Sequence, residues 1–279
     1  MKNRAQHPQA LLFLCHRTEN GFIDRYKALA NAFGRYGDTY FVFDSTANPL
    51  PDHLRSMRHF EFSTDSLKAL GYTWLQDSLM PGHVHFPVLE FAQKHPNYSN
   101  YWVIEYDVRF TGSWSLFFWL TTRSTADFIA THLSRYEEQP FWYWWPTYSC
   151  PDKTQKIESR VRFFGPLYRI SRSAIEFVDT KLKAGCQGHQ EVVLPTLLNE
   201  AGFSLVDLSG SSSFEKLSPW SWYTRSKRDV WGALKHSSMR FRPQMTLSGH
   251  RPFTFYHPVK TPHYGFSALF DYMRRTIIR

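Results

Sequence analysis

Residues 101–110 read YWVIEYDVRF, an aromatic and β-branched run of the kind that fits a pleated, half-buried strand. Two carboxylates interrupt it. Alternation places Tyr101, Val103, Glu105 and Asp107 on one face and Tyr106 and Val108 on the other. Both acids therefore leave the apolar register where the strand runs into Thr111-Gly112. Carboxylates at the carboxyl edge of a sheet can present a divalent cation to a ligand. The same pair also reads as a solvated strand end with Arg109 as its ion-pair partner.

Working toward the amino terminus, residues 10–15 (ALLFLC) form a short apolar run suited to a buried parallel strand, followed by the polar stretch 16–21 (HRTENG). Phe22, Tyr26, Leu29, Ala30 and Phe33 recur at helical spacing, with Asn20 as an N-cap and Gly34 or Gly37 as the stop. Residues 39–43 (TYFVF) give a second strand, ending in Asp44. This is a βαβ unit whose ligand edge holds the loop after Cys15 together with Asp44. No glycine-rich loop follows the first strand, which argues against a dinucleotide-binding Rossmann domain and a P-loop enzyme.

Toward the carboxyl terminus, 114–120 (WSLFFWL) reads as a short buried helix and 126–132 (ADFIATH) as a strand. The aromatic run 141–145 (FWYWW) has three readings: core or lid hinge, a platform for a sugar ring, or an interfacial anchor. Residues 163–172 predict a strand, and Ser173 with Glu176 a capping box for a helix over 174–183. Residues 188–198 predict a further helix, which Pro195 either kinks or starts, and 203–208 (FSLVDL) a last strand. Residues 253–260 read as a strand halted by proline, with His257 at its end.

The order of an acid-x-acid strand, a G-P-x-Y-x-x-S-R strand (165–172), a helix and an E-x-x-L-P helix (191–195) resembles GT-A glycosyltransferases of the bacterial surface-polysaccharide kind. The resemblance implies an α/β fold: a GT-A-like, Rossmann-like mixed sheet flanked by helices. It divides the single domain into a catalytic core over 1–208 and a basic extension over 209–279 packing on it. It implies Mn²⁺ or Mg²⁺ held by Glu105 and Asp107, with His257 as a late ligand. The nucleotide-sugar donor would lie near His16, Arg17 and Asp44, with Lys260 at a phosphate. Asp107 then acts through the metal on the leaving group, and Glu191 meets the acceptor hydroxyl, as general base if transfer inverts. Trp144 and Trp145 would hold a glycan or lipid-linked acceptor. Two plainer readings stand beside these. Glu191 fits an ordinary first-turn glutamate stabilised by the helix dipole. A lone histidine among the chain's 13 is more often hydrogen-bonded than a ligand. His83 and His85 form an H-x-H that lacks a third ligand at a recognisable spacing.

At 279 residues, with 42% hydrophobic and 18% aromatic side chains, the chain can bury a sizeable core. It has no apolar run of about 18 residues and no signal-peptide core before the first strand, so a cytoplasmic location is expected. Cys15, Cys150 and Cys186 are too few and scattered for a disulfide framework and are expected reduced. The net charge of +9 suits anionic donors and a membrane surface. Residues 221–251 interleave Arg225, Lys227, Arg228, Lys235, Arg240, Arg242 and Arg251 with Trp222, Trp231 and Phe241. Such a run is most often a solvated face. With no nucleic-acid-binding signature present, peripheral membrane contact is the better functional reading, reinforced by Arg274, Arg275 and Arg279. The SGSSS stretch (209–213) marks a loop before the extension. A non-catalytic carbohydrate-binding protein and a basic membrane or nucleic-acid adaptor are the alternatives.

Overall fold

A computed structural model describes residues 8–151, 156–209, 213–226 and 229–260. Lys227, Arg228, most of the SGSSS stretch and the arginines at 274, 275 and 279 lie outside the described residues. Strands β1 (Gln9–Leu14), β2 (Gly37–Asp44) and β3 (His59–Phe62) flank helices α1 (Asn20–Phe33) and, after β3, α2 (Thr64–Lys68) and α3 (Phe86–Lys94). Then come β4 (Asn100–Glu105), β5 (Arg109–Phe110), α4 (Trp114–Thr121), β6 (Phe128–Arg135) and β7 (Val161–Ser171). Helices α5 (Arg172–Lys183) and α6 (Gln190–Glu200) and strands β8 (Leu205–Asp207), β9 (Glu215–Lys216) and β10 (Phe255–Tyr256) complete the described residues.

The fold is α/β: an eight-stranded mixed sheet in the order β3-β2-β1-β4-β7-β6-β8-β9, flanked by helices, with β5 and β10 pairing separately. β1, β2, β3 and β4 run parallel, whereas β7 is antiparallel to both β4 and β6. The expected alternation holds in β4 and beyond it. Tyr101 and Val103 pack into the core that contains residues of α3, α5 and α6. Trp102, Ile104, Tyr106 and Val108 pack on the opposite face with residues of α1 and α4 and with Trp222, Tyr223, Met239 and Phe255. That second core is thus built in part from residues beyond 208.

Several local expectations are corrected. Strand β4 ends at Glu105 rather than continuing through Asp107. Its pairing with β7 stops at Ile104↔Leu167, because the next residue of β7 is Pro166, which has no N–H to donate. The cap of α5 is Ser171, whose side chain accepts from Ala174 N, not Ser173. Helix α1 has Glu19 at its cap and no side-chain cap bond, so Asn20 does not serve there. Cys150 and Cys186 are not reduced but joined in a disulfide. Paired backbone bonds between Ser149 and Gln187 bring the two together, a contact that sequence spacing does not reveal. A disulfide persists mainly in oxidising compartments, which weighs against the cytoplasmic expectation. Cys15 remains a buried thiol, which burial pushes up to about 12. Among the described residues no helix is long and apolar enough to cross a membrane.

Candidate metal centre and its neighbouring carboxyl

The carboxyl ends of the parallel strands coincide. Leu14 of β1 lies level with Glu105 of β4, and Asp44 closes β2. Strand β10 pairs with β5 in the register Tyr256↔Arg109, which delivers His257 to the acids two and four residues before β5. His257 Nε2 lies 3.2 Å from Asp107 Oδ1 and 3.6 Å from Glu105 Oε2. One donor atom from each of Glu105, Asp107 and His257 falls within 4.8 Å of the others. The Asp107 backbone carbonyl accepts from Val259 N at 2.8 Å, fixing the turn to the carboxyl-terminal segment. Lys260 Nζ stands 3.8 Å from Asp107 Oδ2.

Asp107 is only 3% exposed. Burial opposes its ionisation, but the His257 imidazole and Lys260 outweigh burial and hold the carboxyl below its ordinary range. Burial likewise opposes a charge on His257, yet the carboxylates of Asp107 and Glu105 raise it to about 10. Glu105, Asp107 and His257 therefore pair as an ion triad. Its donor set also fits a divalent metal. Two carboxylates and one imidazole can together ligate a divalent cation. Asp107 Oδ1 is buried with no aligned hydrogen-bond donor, and Nδ1–H of His257 donates to the Arg240 carbonyl at 2.8 Å, the outer bond that orients a metal-binding imidazole.

Glu191 lies in the first turn of α6, packed against β7, and is buried at 8% exposure. Its Oε1 accepts from Gly165 N at 2.9 Å. That N–H is free of the β6 ladder because the pairing jumps from Ala130↔Tyr168 to Thr131↔Phe164, leaving Gly165 in a bulge. The approach there is close: a Cβ would meet the end of the Gln190 side chain, Nε2, at 2.7 Å. Burial raises the Glu191 carboxyl to about 7 against the opposing pull of Arg162, and Glu105 and His257 contribute smaller effects of opposite sign. Glu191 thus stands within electrostatic reach of the triad and titrates near neutrality.

Other expected site residues are placed as follows. His16, exposed beyond β1, packs edge-on against Tyr106 at 4.8 Å. Burial and the charges of Arg17 and Lys260 lower it, and Asp107 and Asp44 oppose this, so His16, Asp44 and Lys260 share one edge with the triad. Arg17 is tied to Glu19 through Nε at 2.9 Å. Trp145, expected at an acceptor, is corrected to the core. It is 1% exposed, its indole N–H donates to the Gln139 carbonyl at 2.7 Å, and it has no face left for a sugar. Trp144 is half-buried and stacks on His189 at 4.6 Å. His83 and His85 are buried against Phe86 and do not join the cluster. Arg225 is not part of a solvated face, because it pairs with Glu138 at 2.9 Å.

Arg162 escaped the sequence reading. Its guanidinium is buried 3.6 Å from Glu191 Oε2, lies 3.9 Å over the Trp142 ring, and donates to Gln139 Oε1 and the Gly232 carbonyl. The available signal was a cation inside an apolar strand, which demands a buried partner. No protein-family profile and no curated protein matches the chain. Among solved structures it is similar to one described as a putative glucose-1-phosphate thymidylyltransferase from Bacillus anthracis in complex with sucrose. The identity is 8% and the TM-score 0.41, over 73% of this chain and 87% of that one, a likeness too slight to carry a functional argument.

Proposed function

We propose that the chain is a metal-dependent glycosyltransferase that moves a sugar from a nucleoside diphosphate donor to a glycan or lipid-linked acceptor. The observation that carries this reading is the Glu105–Asp107–His257 cluster at the carboxyl edge of β1, β2 and β4, beside a glutamate that titrates near 7. Glu105, Asp107 and His257 would hold Mn²⁺ or Mg²⁺, which when bound neutralises charge developing on a diphosphate leaving group. His16 and Asp44 border the space open to the nucleotide, and Lys260, extending past Asp107, would pair with a phosphate oxygen. Glu191, whose carboxyl burial raises to about 7, would accept the acceptor's hydroxyl proton, as an inverting transfer requires. The Gly165 N–H and the Arg162 guanidinium steady its carboxylate as it does so. A lipid-linked acceptor would bring the protein into peripheral contact with a membrane surface.

The test is calorimetric titration of Mn²⁺, then of UDP and GDP in its presence. The parent should bind nucleotide only with the metal. Asp107→Asn, which keeps the shape and removes the charge, should abolish both signals. Unchanged binding by the variant would remove the metal assignment.

A further inference from the structure

Residues 229–234 form a turn whose backbone is fixed, with Leu234 buried and Val230 and Trp231 turned outward. Asp229 accepts from Ala233 N at 3.1 Å and from Leu234 N. Gly232, at φ +63°, lies so close to the interior that a Cβ would meet Arg162 Nη1 at 2.0 Å and Trp142 Cδ1 at 2.4 Å. Its carbonyl accepts from Arg162 at 3.1 Å. With the backbone pinned inward, Trp231 is left 66% exposed and Val230 39%. The aromatic loop meets this turn: Phe141 N donates to the Val230 carbonyl at 3.3 Å, and the Phe141 and Trp231 rings lie 5.0 Å apart. Phe141 is 58% and Tyr143 77% exposed. Two separate segments thus meet in one exposed apolar patch at Phe141 and Trp231, with exposed Tyr143 two residues further along the aromatic loop, backed by the guanidinium that contacts Glu191.

We propose that Phe141, Tyr143, Val230 and Trp231 form a membrane-docking tip that inserts at the headgroup level of an anionic bilayer. The residue types fit that zone, where aromatic rings are favoured and basic residues nearby add attraction to anionic lipid. Exposed Lys235 follows the turn, and Lys227 and Arg228 precede it in the sequence. The net charge of +9 complements an anionic surface and disfavours a second copy of the same chain as the occupant. In so far as it serves a lipid-linked acceptor the proposal rests on the transfer reading above: docking through this tip would bring the Arg162–Glu191 pair toward the surface that holds the acceptor.

Co-sedimentation with phosphatidylcholine vesicles, with and without phosphatidylglycerol, tests it without metal or nucleotide. The full chain should bind the anionic vesicles and release as salt rises. Phe141→Ser combined with Trp231→Ser should weaken binding at least about tenfold with the melting temperature unchanged, because both side chains are exposed. Lys235→Glu should weaken it less. Retained binding by the double variant, no binding by the parent, or a parent dimer that the double variant abolishes would each overturn the proposal. Mn²⁺ and UDP calorimetry on the same preparations separates that failure from a failure of the transfer reading.

Discussion

In the proposed site a proton on His257 and a divalent cation would compete for the same two carboxylates. Without metal, the imidazole value rises from 6.5 to about 10, so its contribution to stability is full below pH 6.5 and is lost as pH climbs through about 10. Asp107, held below its ordinary 3.8, contributes above that value and loses its contribution as pH falls. The triad therefore stabilises the metal-free protein most between pH 3.8 and 6.5. Urea unfolding across pH should show the alkaline loss in the parent and a flatter alkaline limb in His257→Ala. Mn²⁺ affinity should rise with pH, as the cation displaces that proton. Glu191 has a separate signature. With its carboxyl near 7, transfer by the parent should rise through that pH. Glu191→Gln should lose the limb and about 10²-fold in turnover while binding UDP and Mn²⁺ as the parent does. Equal loss of nucleotide affinity would move Glu191 to a donor-binding role.

At the scale of elements, the site exists because β7 departs from regular pairing. Pro166 ends the ladder to β4, and the bulge at Gly165 frees an N–H for α6. Gly165→Ala should therefore be a functional lesion more than a folding one. Its Cβ would press on the end of the Gln190 side chain, which can move, and on Glu191 Oε1 at 3.5 Å. We expect turnover to fall severalfold, with a stability loss of about 1 kcal/mol in chemical denaturation. The disulfide joins the aromatic loop to the turn before α6, where His189 N donates to Thr147 Oγ1 at 3.0 Å. It closes a loop of sequence separation 36, so Cys150→Ser with Cys186→Ser should cost about 2–4 kcal/mol. A reductant should leave the melting temperature of that double variant unchanged while lowering the parent's.

At the scale of the molecule, the carboxyl-terminal segment is part of the core as well as of the site. Trp222, Tyr223, Leu234, Met239 and Phe255 are buried on the α1–α4 face. At about 1.5–3 kcal/mol for each large apolar side chain, their loss would remove about 10 kcal/mol, comparable with the whole stability of an ordinary domain. Residues 1–208 expressed alone should then lack a cooperative unfolding transition and bind a hydrophobic dye. A sharp transition in that fragment would make it an independent core after all.

Period-two patterning and a βαβ rhythm are local properties, so the sequence by itself determined β1, β2, α1, α4, α5, α6 and the sidedness of β4, but not β3, α2 or α3. For the same reason it marked Glu105 and Asp107 as polar intrusions at a strand end and Glu191 as the opening of a helix. Which residues meet those acids depends on pairings across long separations. The β5–β10 register brings His257 to Asp107 from 150 residues away along the chain, and the β7 bulge turns Gly165 and Arg162 toward Glu191. The fate of the aromatic run was likewise a tertiary matter. Neighbouring rings of one composition diverge into core, stack and exposed tip according to what lies opposite each of them: Gln139 under Trp145, His189 under Trp144, and the pinned turn at Trp231 beside Phe141.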